Sequence, residues 1–509
     1  MPMKKYIIAV DQSTSATKVI LFNRKGERLG RVSVPHRQYY PRPGFVEHDP
    51  HEIFANVVSG LNKVVEQTGI QAAEIAALAI TNQRETALIW DRKTGEPVAP
   101  AVVWQCQRGA GFCDTLKKDG LEPVIKEKTG LIIDPYFSAS KLQWIIENVD
   151  GVRSRGENGE LLWGTIDSWL LWRLTAEKVH ATDHSNACRT MLFNIKTLEW
   201  DKDLIRLCGL HHSMFPHVRF SDQVFGHTDK SILNGAGIPV AGLLGDSHAA
   251  LFGQHCLEPG MAKATYGTGS SVMMNIGREF RDAPGGLVTS IGFSRDGRVD
   301  YVFEGNIHSA GDTIKWLEEL GLVSGPEECE QLALSVDGNN GVYLVPAFTG
   351  LGAPYWDNAA RASISGMGRD ATRAHIARAA IESIAYQVKD LVGLMEDEGG
   401  IVLSELRVDG GAARNDFLMQ FQSDMLGRRL VRADVEELSA LGSVFMAGFA
   451  TGFWEGPHET GPLLRSDRTF KPETDRWEAE ALYSGWKKAV GRTRGNIEPR
   501  ETSGDKRTG

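Results

Sequence analysis

YIIAVDQSTSATKVILF, residues 6–22, contains two apolar runs joined by a short polar segment. The run from Tyr6 to Asp11 is rich in β-branched residues, and a second apolar run extends from Val19 to Phe22, so both predict strands with a tight turn between them. The same pattern recurs in ATYGTGSSVMMN, residues 264–275, where the turn is rich in glycine. This repetition predicts a duplicated fold.

Other apolar segments end in acidic or glycine-rich residues. IPVAGLLGD, residues 238–246, predicts a buried strand that ends at an acid, and LSELRVD, residues 403–409, predicts a strand that leads into two glycines. Residues 374–396 and 415–426 have the periodicity of amphipathic helices. Alternation of strands and helices favours the α/β class, with several strand ends meeting at one cleft.

A chain of 509 residues, 42% of them hydrophobic, exceeds one ordinary core and predicts two large domains. We place the division at HCLEPG, residues 255–260, where Gly and Pro separate two predicted strand units. The expected domains are 1–254, with the acceptor and the catalytic base, and 255–490, with the nucleotide. Residues 491–509 are charged and nearly free of apolar side chains, so we expect a disordered tail.

Net charge and apolar runs exclude several classes of partner. A formal net charge of −9 argues against nucleic acid and anionic membranes, and no apolar stretch is long enough to span a bilayer. No signal peptide is recognisable at the N-terminus, so we expect a cytoplasmic protein. The six cysteines are scattered without metal-binding spacing, which predicts reduced, packed thiols.

Two turns could bind phosphate through backbone N–H groups. Ser13–Thr17 and Gly267–Ser270 consist of small, hydroxyl-bearing or glycine residues, although such turns are also common in surface hairpins. Neither the P-loop pattern nor G-x-G-x-x-G occurs. Asp11 and Asp246 end predicted strands, where a carboxylate can hold Mg²⁺, accept a proton, or simply cap a helix.

A polar segment, TNQRET, follows the apolar run 76–80. Arg84 and Glu85 would offer the donors and acceptors that a polyol requires, although a surface ion pair is equally compatible with them. Asp134–Tyr136 adds an aromatic side chain. Composition and spacing carry the interpretation no further.

Together, these and other segments strongly resemble the FGGY family of carbohydrate kinases, and within it the glycerol kinases most closely. The resemblance extends from about Lys5 to Val490. It is carried by PGFVEHDP (43–50), ITNQRET (80–86), VVWQCQR (102–108), DPYFSASKLQW (134–144), RTMLFNIKTLEW (189–200), VPAFTGLGAPYWD (345–357) and LRVDGGAARNDFLMQFQSD (406–424). It implies two ribonuclease-H-like domains of the actin and hexokinase type, with the active site in the cleft between them.

The resemblance also implies an activity: transfer of phosphate from ATP, with Mg²⁺, to a terminal hydroxyl of a small polyol. Asp246 corresponds to the general base, Asp11 to the acid on the phosphate side, and both to metal ligands. The implied acceptor-binding residues are Arg84, Glu85, Trp104, Tyr136, Asp246, Ser247 and Ser271. The implied nucleotide-binding residues are Thr14, Ser15, Ala16, Lys18, Thr268, Gly269, Gly311, Lys315, Gly411 and Asn415. A homodimer or homotetramer is implied as well.

Some acceptor positions depart from the glycerol kinase pattern. Ser247 replaces the usual Gln and is followed by His248, and Ser271 replaces an aromatic residue. Loss of a Phe-sized contact removes roughly 1.5 to 3 kcal/mol of apolar burial and enlarges the pocket. Glycerol, giving glycerol 3-phosphate, is therefore the first candidate, with a larger polyol or ketose (erythritol, threitol, xylulose or ribulose) as the alternative.

Departures outside the acceptor site concern nucleotide binding and regulation. Ser13 replaces a Gly, Lys18 replaces an Arg and Lys315 replaces a Gln, so the small residue and the cation of the first phosphate turn are kept. The loop 234–237 lacks the Gly-Thr-Arg that binds fructose bisphosphate in regulated members. A non-enzymatic, ATP-binding regulatory protein remains a remote alternative, because the fold also serves such roles.

Overall fold

The computed structural model describes residues 4–176, 178–357, 359–435 and 437–495. A six-stranded sheet forms the N-terminal half. Its strands lie in the order Val224–His227, Pro239–Gly245, Ile75–Asn82, Tyr6–Gln12, Ala16–Asn23 and Arg28–Pro35. Tyr6–Gln12 pairs antiparallel with Ala16–Asn23 and parallel with Ile75–Asn82. The first predicted strand–turn–strand unit is thereby confirmed.

A seven-stranded sheet repeats this arrangement in the C-terminal half. Its order is Val288–Arg295, Arg298–Ile307, Ser270–Gly277, Met261–Tyr266, Glu405–Asp409, Leu430–Ala433 and Ser466–Phe470. Met261–Tyr266 pairs antiparallel with the strand that follows it and parallel with Glu405–Asp409, as in the first sheet. Both sheets thus place three antiparallel strands beside two parallel ones, which confirms the predicted duplication and the α/β class.

Helices and short strands complete both halves. The helices are Pro50–Thr68, Ala110–Lys118, Glu122–Thr129, Ser138–Asn148, Val152–Glu157, Ile166–Leu174, His184–Ala187, Lys202–Leu207, Asp246–Gly253, Gly311–Glu319, Pro326–Leu334, Arg373–Asp397, Asp416–Leu426, Leu438–Ala450, Pro457–Thr460 and Arg476–Thr493. A four-stranded sheet contains Glu47–His48, Ala101–Val102, Ala87–Asp91 and Leu161–Thr165. Two-stranded pairs join Phe193–Asn194 with Glu199–Trp200, Ala181–Asp183 with His217–Arg219, and Tyr343–Val345 with Ser363–Ser365.

Two helices, Asp246–Gly253 and Leu438–Ala450, pack against each other between the main sheets. An apolar cluster around them includes Ile7 from the N-terminal sheet and Met273 from the C-terminal sheet. The two helices approach so closely that a Cβ atom on Gly442 would lie 1.9 Å from the carbonyl oxygen of Ala249. The helix Leu438–Ala450 falls in the second predicted domain yet packs on the first sheet, so the sequence division at 254/255 does not separate all contacts.

The last helix continues beyond the point where we expected disorder. Arg476–Thr493 is helical although the predicted tail begins at Gly491, so that prediction is wrong for Gly491 to Thr493. The helix is held there because Val490 is buried and Thr493 contacts the Ser363 hydroxyl. Residues 496–509 of the predicted tail lie outside the described residues.

All six cysteines are buried and unpaired, which agrees with packed thiols. Burial raises the pKa of Cys188, Cys208 and Cys256 to about 12. Within the ranges given above, no helix combines the length and apolar character needed to cross a membrane.

Asp167, at the start of the helix Ile166–Leu174, is a fully buried carboxyl group. It accepts hydrogen bonds from the Thr165 and Thr182 hydroxyls at 2.5 and 2.6 Å. Burial raises its pKa to about 7. Between about pH 4 and 7 the folded protein therefore binds more protons than the unfolded chain, so the free energy of unfolding falls as the pH rises through this window.

We expect Asp167→Asn to remove this pH-dependent loss of stability. The gain in unfolding free energy over wild type should be about 2 to 3 kcal/mol larger at pH 8 than at pH 4.5, which urea denaturation at both values would measure. Asp282→Asn, at an exposed site, is the control and should change neither value. An equal gain at both pH values would show that Asp167 is ionised throughout.

Candidate functional site

Three parallel strands end at one edge of the N-terminal sheet and place polar residues there. Tyr6–Gln12, Ile75–Asn82 and Pro239–Gly245 run parallel, so their carboxyl ends meet. Asp11 lies at the first end, the segment Gln83–Thr86 follows the second, and Asp246 begins the helix after the third. Ligands of open α/β sheets bind at such edges.

A cavity of about 220 Å³ lies at this edge, between the two sheets. It is lined by Asp11, Lys18, Asp246, Ser247, Ala250, Lys263, Thr265, Asp409, Gly410, Glu437, Leu438 and Ser439. The cavity thus brings together four of the predicted site residues, Asp11, Lys18, Asp246 and Ser247. It also contains three ionisable residues that sequence reasoning missed: Lys263, Asp409 and Glu437.

Asp11 and Lys18 form an ion pair in this cavity. Lys18 Nζ lies 3.3 Å from Asp11 Oδ2 and 3.3 Å from Glu437 Oε2. Burial raises the pKa of Asp11 to about 6, opposed by Lys18. Two carboxylates therefore already balance the charge of the lysine that the resemblance assigns to phosphate binding.

Arg84 connects Asp246 to the C-terminal sheet. Its Nε lies 3.4 Å from Asp246 Oδ1, while Nη1 and Nη2 donate to the two carboxylate oxygens of Glu304 at 3.1 and 2.9 Å. Arg189 donates to Glu304 and to Glu85 at 2.9 and 2.7 Å. The side chains of Arg84, Glu85, Arg189 and Glu304 are at most 4% exposed, so they form one buried network across the cleft.

Aromatic side chains border the same region. Trp104 and Tyr136 contact edge to face, with ring centroids 5.5 Å apart, and Trp104 Nε1 donates to the Thr14 hydroxyl at 3.0 Å. Arg189 lies over the Tyr136 ring. The fully buried Lys141 donates to the carbonyl oxygens of Pro135 and Tyr136, both at 2.6 Å, and thereby fixes the loop that carries Tyr136. Of the predicted acceptor residues, Trp104 and Tyr136 thus lie together beside the first hairpin.

Both predicted phosphate turns are hairpin loops at the cleft. In the first, Ser13 donates through its N–H and its hydroxyl to the Ala16 carbonyl oxygen. Counting only residues that the structure describes, the backbone N–H groups of Thr14, Ser15, Thr268 and Gly269 have no hydrogen-bond partner. Donors of this kind at a tight turn suit an anion.

The second hairpin contacts the helix Gly311–Glu319. Gly311 N donates to the Gly267 carbonyl oxygen at 2.9 Å, and a Cβ at Gly311 would approach that oxygen to 2.7 Å. Only glycine therefore allows this contact. Lys315, on the same helix, is 69% exposed and lies 3.7 Å from Glu319, which matches a surface ion pair.

A second cavity, of about 670 Å³, adjoins the first because both are lined by Asp409 and Gly410. Gly411 and Arg414 also line it. Asn415 caps the helix Asp416–Leu426, since its Oδ1 accepts from Leu418 N at 2.7 Å. Its side chain thus already caps this helix, whereas Gly411 lines the second cavity.

The three residues that depart from the glycerol kinase pattern have different surroundings. Ser247 lines the 220 Å³ cavity, and its N–H donates to Asp246 Oδ1 at 2.6 Å. His248 is fully buried, with Nδ1 3.4 Å from Arg84 Nη1. Met273 lies opposite Glu304 on the neighbouring strand, so these two side chains share a face of the sheet. Ser271, two residues before Met273, lies on the same face.

Family models match both halves of the chain. The N-terminal domain of the FGGY family of carbohydrate kinases matches residues 6–253, and its C-terminal domain matches residues 262–451. The chain belongs to this family. It is therefore a phosphotransferase with the two-domain FGGY fold, as the resemblance predicted.

Relatives within the FGGY family cover nearly the whole chain. A glycerol kinase of Alkaliphilus metalliredigens is 50% identical over 491 residues, which are 96% of this chain and 98% of the relative. The solved structure of Plasmodium falciparum glycerol kinase with ADP has a TM-score of 0.93 at 33% identity, covering 97% of this chain and 99% of that one. A ligand-bound xylulose kinase of Lactobacillus acidophilus, at 22% identity and a TM-score of 0.87, shares the fold.

Several residues of the FGGY cleft could not be selected from sequence. Arg189 lies within a quoted family segment, and Asp409 stands at the end of a predicted strand before two glycines, so each carried a partial signal. No sequence pattern pointed to Glu304, Lys263 or Glu437. Glu304 and Lys263 reach the cleft through strand pairing in the C-terminal sheet, and Glu437 directly precedes the helix Leu438–Ala450, which packs on the N-terminal sheet.

Proposed function

We propose that the chain transfers the γ-phosphoryl group of ATP to a terminal hydroxyl of a small polyol, with glycerol as the first acceptor and glycerol 3-phosphate as its product. One observation carries this proposal: Asp246 and Asp11 line a single small cavity between the two main sheets, together with Lys18 and Ser247. Family membership and the names of the relatives support the reaction type.

On the acceptor side, we assign proton abstraction to Asp246. As the acceptor oxygen forms its bond to the γ-phosphorus, its proton passes to the Asp246 carboxylate, and the bond from the γ-phosphorus to the bridging oxygen of ADP breaks. Arg84 lies close enough to orient that carboxylate. Arg84 and Glu85 would hydrogen-bond the polyol, and Trp104 and Tyr136 would cover its carbon chain and exclude water.

On the donor side, the free N–H groups of the two hairpins fit the phosphates. We assign Thr14, Ser15, Ala16, Lys18, Thr268 and Gly269 to the phosphates, and Gly311, Lys315, Gly411 and Asn415 to the rest of the nucleotide. Asp11 and Asp246 would hold Mg²⁺, because carboxylate oxygens are ligands that Mg²⁺ prefers and both side chains line the same cavity. When bound, Mg²⁺ would neutralise phosphate charge; Asp246 retains an oxygen for the proton.

A coupled ADP-release assay with Mg-ATP tests the proposal. The acceptors would be glycerol, dihydroxyacetone, erythritol, threitol, ribitol, xylitol and xylulose, with product identified by mass spectrometry. Acceptor-stimulated ADP release with a matching phosphorylated product is expected. ATP binding without turnover on any acceptor would instead favour the regulatory alternative.

A larger acceptor is the second candidate, and Ser271 is the reason. Its hydroxyl is buried and has no hydrogen-bond partner among the described residues, which leaves a donor and an acceptor available. An extra hydroxyl of a four- or five-carbon acceptor would satisfy them. His248 Nε2 is likewise unpartnered, but its ring is fully buried beside Arg84.

We expect Ser271→Phe to shift preference toward glycerol. Restoring an aromatic contact should fill the space and raise the ratio of kcat/KM for glycerol over erythritol by about 10- to 200-fold. Ser271→Ala is the matched control: it removes the hydroxyl without filling the pocket, so it should weaken the use of erythritol and leave glycerol unchanged. An unaltered ratio in Ser271→Phe would exclude Ser271 from acceptor selection.

We further infer a homodimer or homotetramer in the cytoplasm, with the acceptor in the N-terminal half and the nucleotide in the C-terminal half, as in the FGGY resemblance. Sedimentation velocity would test the assembly.

A further inference from the structure

Lys263 is a second lysine, besides Lys18, in the 220 Å³ cavity. It lies on the strand Met261–Tyr266, is 1% exposed, and lines the 220 Å³ cavity with Asp11 and Asp246. Its Nζ donates to the Thr265 hydroxyl at 3.1 Å. That neutral group is its only hydrogen-bond acceptor within the described parts of the chain.

The two lysines of this cavity differ in their charge balance. Lys18 contacts two carboxylates, each at 3.3 Å, whereas no carboxylate oxygen of a described residue lies within 4.0 Å of Lys263 Nζ. Burial lowers the pKa of Lys263, and Asp409 is the main group that opposes this effect. Because burying an unpaired ammonium group is costly, the site is incomplete without an anion.

Strand pairing places Lys263 on the face of the C-terminal sheet that lines the cavity with Asp11 and Asp246. Side chains alternate along the strand, so Lys263 and Thr265 share a face, while Ala262, Ala264 and Tyr266 belong to the core on the other side. Thr265 pairs with Ser271 on one neighbouring strand and with Asp409 on the other. The strand then continues directly into the second hairpin.

An unpartnered oxygen lies on the same side. Asp409 Oδ1 is buried and has no hydrogen-bond partner in the described residues, and Asp409 lines the cavity together with Lys263. The Lys263 ammonium group, which has no ion-pair partner among the described residues, and the unpartnered Oδ1 of Asp409 suit a ligand that itself combines a cation with anionic oxygens. A phosphate chain with its divalent metal has this composition.

We infer that Lys263 is a further catalytic residue whose ammonium group contacts the transferred phosphoryl group. This inference rests on the proposed function. While the acceptor oxygen bonds to the γ-phosphorus and the ADP oxygen departs, Lys263 stays protonated and stabilises the negative charge on the phosphoryl oxygens; the acceptor proton goes to Asp246. Lys18 adds less, because Asp11 and Glu437 already balance its charge.

Lys263→Met tests this role through three measurements. The kcat for acceptor phosphorylation should fall about 10²- to 10³-fold, a magnitude typical for loss of a group that stabilises developing charge. The acceptor KM should change less than about threefold, since only the transferred group is affected. The melting temperature of the ligand-free protein should equal or exceed that of wild type, because an unpaired buried charge has been removed.

Nucleotide binding separates this role from a structural one. By calorimetry with Mg²⁺, we expect wild type to bind the non-hydrolysable triphosphate AMPPNP more tightly than ADP, because Lys263 contacts the terminal phosphate. Lys263→Met should bind ADP as wild type does but lose this preference. Lys263→Gln keeps the hydrogen bond to Thr265 without the charge and should lose the same preference. Lys389→Met is the control, since Lys389 lies in a different cavity and contacts Met425 and Glu480.

The outcomes distinguish failure of the inference from failure of the proposed function. Unchanged kcat, or equal loss of ADP and AMPPNP affinity together with a lower melting temperature, would overturn the role of Lys263. If wild type phosphorylates no acceptor, the proposed function fails, and the AMPPNP preference alone then decides whether Lys263 contacts the terminal phosphate.

Discussion

Asp246→Asn is expected to lower kcat for acceptor phosphorylation about 10²- to 10⁴-fold, the range typical of a lost general base. An amide cannot take the proton of the attacking hydroxyl. The substitution keeps the size of the side chain and the position of the helix that it begins. Binding of ADP should change little, because the other hairpin and nucleotide residues remain.

The ADP-release assay under saturating acceptor measures this loss, with calorimetry to confirm nucleotide binding. Asp167→Asn is the matched control, because it makes the same change at a buried carboxyl outside the cleft cavity and should retain kcat. Activity of Asp246→Asn within threefold of wild type would remove Asp246 from the role of base.

Glu304→Gln is expected to destabilise the protein by about 3 to 5 kcal/mol, the usual cost of breaking a buried ion pair. The carboxylate accepts hydrogen bonds from both Arg84 and Arg189, and its side chain is fully buried. A neutral amide would leave the buried network with a net positive charge. Arg84 would also lose one of the two hydrogen bonds to residue 304 that hold it beside Asp246, because the amide nitrogen cannot accept, so kcat should fall as well.

The loss of unfolding free energy caused by Glu304→Gln should become smaller only at low pH. Burial opposes ionisation, but Arg189 and Arg84 hold the pKa of Glu304 well below its usual range. The ionised group therefore contributes stability that is fully present above about pH 4.5 and is lost only as the pH falls toward the lower folded-state pKa.

Urea unfolding followed by fluorescence measures this effect between pH 4 and 8. The difference between wild type and Glu304→Gln should be constant from pH 6 to 8. Glu74→Gln, which removes an exposed pair with Lys5, is the control and should cost less than about 1 kcal/mol. If Glu304→Gln also lowered the unfolding free energy by less than about 1 kcal/mol, the buried network would add no net stability.

Much of the FGGY fold could be predicted locally. The two strand–turn–strand units, the strand that ends before Asp246, and the long helix Arg373–Asp397 all follow from apolar runs and periodicity, which depend on neighbouring residues alone. The end of the last helix could not, because Val490 is held by packing that composition does not reveal. The tail prediction failed there for that reason.

The candidate site divides in the same way. Asp11, Asp246 and the two hairpins could be selected from sequence, since acids and small residues after strands are a local pattern. Lys18 was also visible, but its two carboxylate partners were not, because Glu437 comes from a segment more than 400 residues away. The network through Glu304 depends on the approach of one sheet to the other.

Sequence by itself therefore determined the family, the duplicated α/β architecture and the segments that carry the acids and phosphate turns, because these are properties of contiguous residues. Only the tertiary structure decided which charges meet. Pairing of Thr265 with Asp409 and packing of the helix Leu438–Ala450 bring distant residues to one cavity. There Lys18 is paired with two carboxylates, whereas Lys263 forms no ion pair with any residue that the structure describes. Electrostatic energy depends on distance and burial, and neither is encoded in the order of residues along the chain.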